Sequence, residues 1–129
     1  MSELRSKAIE VAGKFLAHRG YEVIETGWKS ERGSAVDIVA KDEDDLVFCD
    51  VSARNGFERG IPESNDWASR ERREIAAAAW LSEHCDDDTL VDLPIRFDSI
   101  AMMVIGENRA LVRHHINCLG FDITAGQTD

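Results

Sequence analysis

Long apolar runs, paired cysteines and a basic excess are all missing from this sequence of 129 residues, and each absence removes a class of function. No run approaches the roughly 20 apolar residues that a membrane helix needs, so no membrane span is expected. The opening Met1-Ser2-Glu3-Leu4-Arg5 lacks the basic-then-apolar layout of a secretion signal. A cytoplasmic setting is the simplest expectation. Cys49, Cys85 and Cys118 stand far apart, with no CxxC or Cys/His spacing that would suggest zinc. An odd cysteine count without a secretion signal points to reduced thiols, and Cys49, inside an apolar run, is expected to be a buried small hydrophobe. The formal charge is −10. Binders of double-stranded DNA usually carry a basic excess, because neutralising phosphates supplies much of their affinity. The overall field therefore works against nucleic acid as a partner unless a local basic groove exists.

What remains is enough for one domain with a real core: 43% of the residues are hydrophobic. The expected domain spans residues 1–121, with a polar tail over 122–129. There are no internal repeats. Leu4, Ala8, Val11, Ala12, Phe15 and Leu16 recur at helical spacing and predict a helix over 2–18, closed by Gly20. Strands are predicted over 21–26, 34–41 and 45–54, the first followed by a polar loop over 27–33. The acidic turn Asp42-Glu43-Asp44-Asp45 makes the last two an antiparallel hairpin. Residues 55–64 hold Gly56, Gly60 and Pro62 and read as a loop. A second helix is expected from Asn65 or Asp66 to His84, with Ala68, Ile75, Ala76 and Ala79 facing the core. An acidic loop over 85–93 and strands over 96–105 and 111–116 complete the order. The pattern predicts an α/β fold, a mixed sheet of about five strands flanked by helices.

One constellation carries chemistry. If Lys41 pairs with Leu46 across the hairpin, Asp37 lies opposite Asp50 and Ala35 opposite Ser52. Side chains so placed sit about 4.5–5.5 Å apart at Cβ, and two carboxylates there repel. A divalent cation such as Mg²⁺ would offset that cost, as would a shared proton. Alternatively both acids stand at strand ends and point to water.

The residues resemble those of the YraN-like family of bacterial proteins, related to Holliday-junction resolvases and restriction endonucleases. The likeness covers about residues 7–119. A first helix ends in Ala12, Leu16, Gly20 and Tyr21. Ser34-Ala35-Val36-Asp37-Ile38-Val39 stands for a Gly-Glu-Ile-Asp-Leu-Ile strand, and Val47-Phe48-Cys49-Asp50-Val51-Ser52-Ala53-Arg54 for Val-Phe-Val-Glu-Val-Lys-x-Arg. Arg96-Phe97-Asp98 matches a later strand, and residues 114–119 match the closing basic-aromatic segment. The resemblance implies a restriction-endonuclease-like core of the PD-(D/E)xK type, with Mg²⁺ on Asp37 and Asp50 acting on a scissile phosphate. It also implies that a lysine should stand at Ser52.

The departures point the other way. Ser52 brings no positive charge to a hydroxide or a pentavalent transition state. The glutamate expected at Ala35 is absent, that of the first helix falls at Ile9, and a lysine of the second helix falls at Ser69. Glu10 lies about 100° around the helix from Ile9 and is a poor substitute. Asp50 is itself shorter by a methylene than the expected glutamate. The expectation is therefore a degenerate nuclease fold with no bound metal, which binds nucleic acid or a protein partner without cutting. The alternatives are a weak Mg²⁺-dependent endonuclease on branched DNA and a protein-interaction or homodimer module.

Other candidates are less specific. Arg70, Arg72 and Arg73 read either as a phosphate-contacting patch or as a solvated face, since five arginines between residues 53 and 75 are balanced by five acids. Arg54, which matches an arginine of the resemblance, is a candidate nucleic-acid contact like these, and could instead pair with Asp37 or Asp50, satisfying them without a metal. Trp28, Trp67 and Trp80 read as core or loop anchors, with Trp67 also placed to stack on a base. His114 and His115 point to opposite faces of a strand, which favours structural or surface roles over metal ligation.

Overall fold

A computed structural model of the protein describes residues 3–55, 67–106 and 109–116, the side chains of 67–69 excepted. The expected loop over 55–64 lies almost wholly outside the described residues, as do Cys118 and the tail over 122–129.

Helix α1 runs over Glu3–His18 and buries Ala8, Ala12 and Leu16 of the apolar stripe together with Ile9, while Val11 and Phe15 are partly buried at its side. It ends as expected. Gly20 takes φ +93, and the N–H groups of Gly20 and Tyr21 donate to the carbonyls of Ala17 and Leu16. These are the paired bonds of a Schellman close, which glycine permits without steric penalty.

Strands follow as β1 (Glu22–Lys29), β2 (Ala35–Asp42) and β3 (Asp45–Asn55), then helices α2 (Trp67–Glu83) and α3 (Asp88–Val91), then β4 (Ile95–Gly106) and β5 (Arg109–His115). The sheet order is β1-β2-β3-β4-β5. All neighbours are antiparallel except β3 and β4, which are parallel from Leu46↔Ile95 to Asn55↔Val104. Parallel neighbours need a crossover, and the segment carrying α2 and α3 provides it. The sheet is thus mixed, five-stranded and flanked by helices, as the order of elements predicted.

Each face has its own core. On one, α1 packs against Tyr21, Ile38, Ala40, Val47, Cys49, Val51, Ile100 and Met102. On the other, α2 packs Ala76, Ala77 and Trp80 against Trp28, Val36, Val39, Leu46 and Phe48. The even and odd positions of β3 divide between the two cores, which is why its run is apolar on both faces. Cys49 is buried, as expected.

Three expectations need correction. Ile75 is 55% exposed. The buried stripe of α2 is Ala76, Ala77 and Trp80, and Ile75 lies about 100° before it on the helix. The acidic loop over 85–93 contains α3, capped by the Asp87 side chain accepting from the Thr89 N–H. Finally, β1 continues past Gly27 to Lys29. Gly27, at φ +66, supplies a conformation that few other residues adopt within a strand, and Trp28 just beyond it is buried beside Val36.

Candidate functional site

The hairpin turn sets the register of everything that follows. Asp42 pairs with Asp45, Lys41 with Leu46, and the ladder continues to Ile38↔Cys49, as read from the sequence. Glu43 takes φ +55 to make the turn, a conformation that costs a non-glycine residue roughly 1 kcal/mol. One step beyond Cys49 the strands part. The Val51 N–H donates instead to Oδ2 of Asp37 at 2.8 Å.

The gap is closed by a residue from α1. The Arg5 guanidinium donates through Nη2 to Oδ1 of Asp37 at 2.6 Å and through Nη1 to the Val51 carbonyl at 2.9 Å. Asp37, Val51 and Arg5 therefore form a closed ring of three bonds. Asp50, the next acid, accepts from Nη2 of Arg73 on α2 at 2.9 Å. The two carboxylates are neighbours, and each has its own arginine.

Asp37 is 5% exposed. Burial raises its pKa from 3.8 to about 6; the Val51 N–H pulls it down, the adjacent Asp50 pushes it up, and Arg5 pulls it down. Desolvation disfavours the charged form of a carboxyl, and a like charge adds to that. Asp37 thus titrates near neutrality although an arginine holds it.

A cleft of about 670 Å³ opens over this arrangement. Arg5, Asp37, Asp50, Ser52 and Arg73 line its floor, together with Arg32, Glu71 and Arg72. Its charged lining comprises the four arginines 5, 32, 72 and 73 against the three acids 37, 50 and 71. Among the described residues the arginines of the lining exceed its acids by one, in a chain whose net charge is −10. No cluster of three or more histidine, cysteine, aspartate or glutamate side chains suited to a metal occurs among the described residues.

The sequence-derived candidates divide accordingly. Asp37, Asp50, Ser52, Arg72 and Arg73 come together in the cleft. Arg54 does not make the expected pair with Asp37 or Asp50; Arg5 and Arg73 hold those acids. Arg54 lies four residues along β3 from Asp50, about 13 Å of extended chain, and its Nε is buried without a hydrogen-bond partner. Arg70 is half-buried and is not among the cleft-lining residues. The side chain of Trp67 lies outside the described residues. Arg5 was not legible as a site residue, although one signal existed. It stands one helical turn before Ile9, the position where the resemblance expects a glutamate, and so on the same face of α1.

A second cluster gathers the remaining residues of the resemblance. Asp98 on β4 is fully buried. Its Oδ1 accepts from Nε of Arg96 at 3.0 Å, and its Oδ2 from the Tyr21 hydroxyl at 3.0 Å and Nη2 of Arg96 at 3.1 Å. Nε2 of His114 lies 2.9 Å from the same Oδ2. Arg96 also reaches Asp42 and Asp45 in the hairpin turn. Burial, and next the Asp98 carboxylate, hold the Tyr21 phenol well above its ordinary range. Burial works to lower Arg96, but its bonds to Asp98 and Asp42 more than offset this and raise it.

Comparison with known proteins now gives the chain its relatives. A family model described as "Uncharacterised protein family UPF0102" matches residues 10–102. The chain belongs to the UPF0102 family. A UPF0102 protein of Roseiflexus castenholzii is 40% identical over 95 residues, 73% of each chain. One from Desulforapulum autotrophicum is 36% identical over 104 residues, 80% of each chain. One from Renibacterium salmoninarum is 32% identical over 120 residues, covering 92% of this chain and 96% of its own. The YraN-like resemblance is borne out as membership of this UPF0102 family. No helix among the described residues is long and apolar enough to cross a membrane.

Proposed function

We propose that the cleft over Asp37 and Asp50 holds the phosphate backbone of nucleic acid and leaves it uncut, as a degenerate relative of the restriction-endonuclease-like nucleases acting in the bacterial cytoplasm. The reading rests on one observation: both acids are already neutralised, Asp37 by Arg5 and Asp50 by Arg73. Phosphodiester hydrolysis needs a group that activates water and a positive charge placed on the phosphate as it becomes pentavalent. Both oxygens of Asp37 are already hydrogen-bonded, which leaves it badly placed to take a proton from water. The hydroxyl of Ser52 carries no charge where the resemblance calls for a lysine. Arg32 and Arg72, both exposed and both lining the cleft, are placed for phosphate contact.

Purified protein is to be incubated with Mg²⁺ or Mn²⁺ and linear, single-stranded and branched DNA. No cleavage is expected, together with binding that weakens as salt rises. Replacing Arg32 and Arg72 by alanine should flatten the salt dependence, by roughly 0.9 in log–log slope for each phosphate no longer neutralised. Metal-dependent cutting that disappears in Asp37→Ala or Asp50→Ala would establish the residual endonuclease instead. A second reading, a homodimer or protein-interaction module, draws on edge strand β5, where Leu111 is 45% exposed. Absence of any salt-sensitive DNA binding, with a dimer in sedimentation, would replace the nucleic-acid reading by that one.

A further inference from the structure

The Arg5 guanidinium spans the two oxygens around which a divalent ion would have to be built. Hard cations such as Mg²⁺ and Mn²⁺ take oxygen ligands from carboxylates and backbone carbonyls. At the parting of β2 and β3 the oxygens on offer are those of Asp37, those of Asp50 and the carbonyl of Val51. Arg5 donates to Oδ1 of Asp37 and to the Val51 carbonyl through its two terminal nitrogens. Oδ2 of Asp37 is taken by the Val51 N–H, and Oδ2 of Asp50 by Arg73. A divalent ion entering here would meet engaged oxygens and a fixed positive charge at close range. The residues present do not fit a metal while Arg5 stays in place.

We infer that Arg5 is the resident cation of this site, occupying the position and the ligands of a divalent ion, and that taking away its charged head turns the same oxygens into a metal site. The chain then solves the repulsion of its paired acids with a side chain of its own rather than with a cofactor. The side chain of Arg5 is 43% exposed while that of Asp37 is 6% exposed, so the arginine reaches in from the cleft side and its head can be removed without opening the core. The inference concerns the same cleft as the nucleic-acid reading but does not depend on it, because metal uptake is read with no nucleic acid present.

The test is a Mn²⁺ titration of the full chain, followed by the electron paramagnetic resonance of the free ion. The wild-type protein is expected to show no uptake that depends on Asp37. Arg5→Met, which keeps the apolar stem, is expected to bind Mn²⁺ about thirtyfold more tightly. That is about the effect of removing a unit charge about 4 Å from a divalent ion at the dielectric of water and low salt. The gain should vanish in Arg5→Met combined with Asp37→Asn, and Arg5→Lys should remain like the wild type. Should Arg5→Met fail to fold by circular dichroism, Arg5→Gln takes its place. A readout on the unaltered protein is available as well: added Mn²⁺ should leave the Val51 amide resonance unbroadened. Asp37-dependent Mn²⁺ uptake by the wild type, broadening of Val51, or a folded Arg5 variant with no gain in affinity would each overturn the inference.

Discussion

Two acid–arginine clusters are built into the same sheet. Around Asp37 and Asp50 the strands part, the arginines arrive from two different helices, and a cleft opens above. Around Asp98 the partners come from the sheet and its turns, and no solvent reaches the carboxylate. The chemistry of the pairs is similar, so charge alone does not separate a site from a strut. Access does. In the closed cluster one carboxylate serves an arginine, a phenol and an imidazole, whereas in the open one two carboxylates compete and one of them titrates near pH 6.

The comparison breaks most visibly at Asp98. Asp98→Ala leaves Arg96, with a side chain 13% exposed, and the Tyr21 hydroxyl without their buried acceptor. Arg96 keeps Asp42 and Asp45, so its charge is not stranded, and a loss of about 3 kcal/mol, the low end for a broken buried pair, is expected in urea unfolding. A loss under about 1 kcal/mol would mean that the closed cluster does not brace the sheet.

Asp37 should behave in the opposite sense. Its pKa in the folded chain lies above its ordinary value, so folding favours the protonated acid. That contribution is complete below about pH 3.8 and is lost as the pH rises through about 6. Wild-type stability should therefore fall between these values relative to Asp37→Asn, by on the order of 2–3 kcal/mol. Unfolding curves of both proteins at pH 4 and pH 7 check this; a difference that does not change with pH would sink it.

Smallest of all should be the effect of Arg32 and Arg72. Both lie on the cleft wall and are exposed, so alanine at either position should shift stability by no more than about 0.5 kcal/mol in thermal melts. A larger shift would make them part of the scaffold and remove them as groups that hold a ligand.

Much of this was legible because short-range rules govern it. The Asp42–Asp45 turn fixes the hairpin register, and with it the approach of Asp37 to Asp50. The stripe of α1 and its glycine close follow from helical spacing. What escaped depends on three-dimensional placement. Arg5 meets Asp37 only because α1 crosses the sheet at that point, a distance of 32 residues along the chain. Arg54 looked suitable in sequence, but extended chain carries it too far away. On α2, Ala76, Ala79 and Trp80 pack as read, but Ile75, one residue of helical phase before Ala76, swings out. The network of Tyr21, Arg96, Asp98 and His114 was present only as separate motif fragments, because it joins four elements that are far apart in sequence.

The parallel pairing of β3 with β4 has a consequence for the order of assembly. The β2–β3 hairpin is a local structure, of the kind that closes in microseconds. Arg73 belongs to α2, which comes back onto the hairpin only after the chain between β3 and α2 has closed, a longer-range and slower event. The hairpin is therefore expected to close before Asp50 gains its counterion, with the two acids then facing each other and at most Arg5 between them.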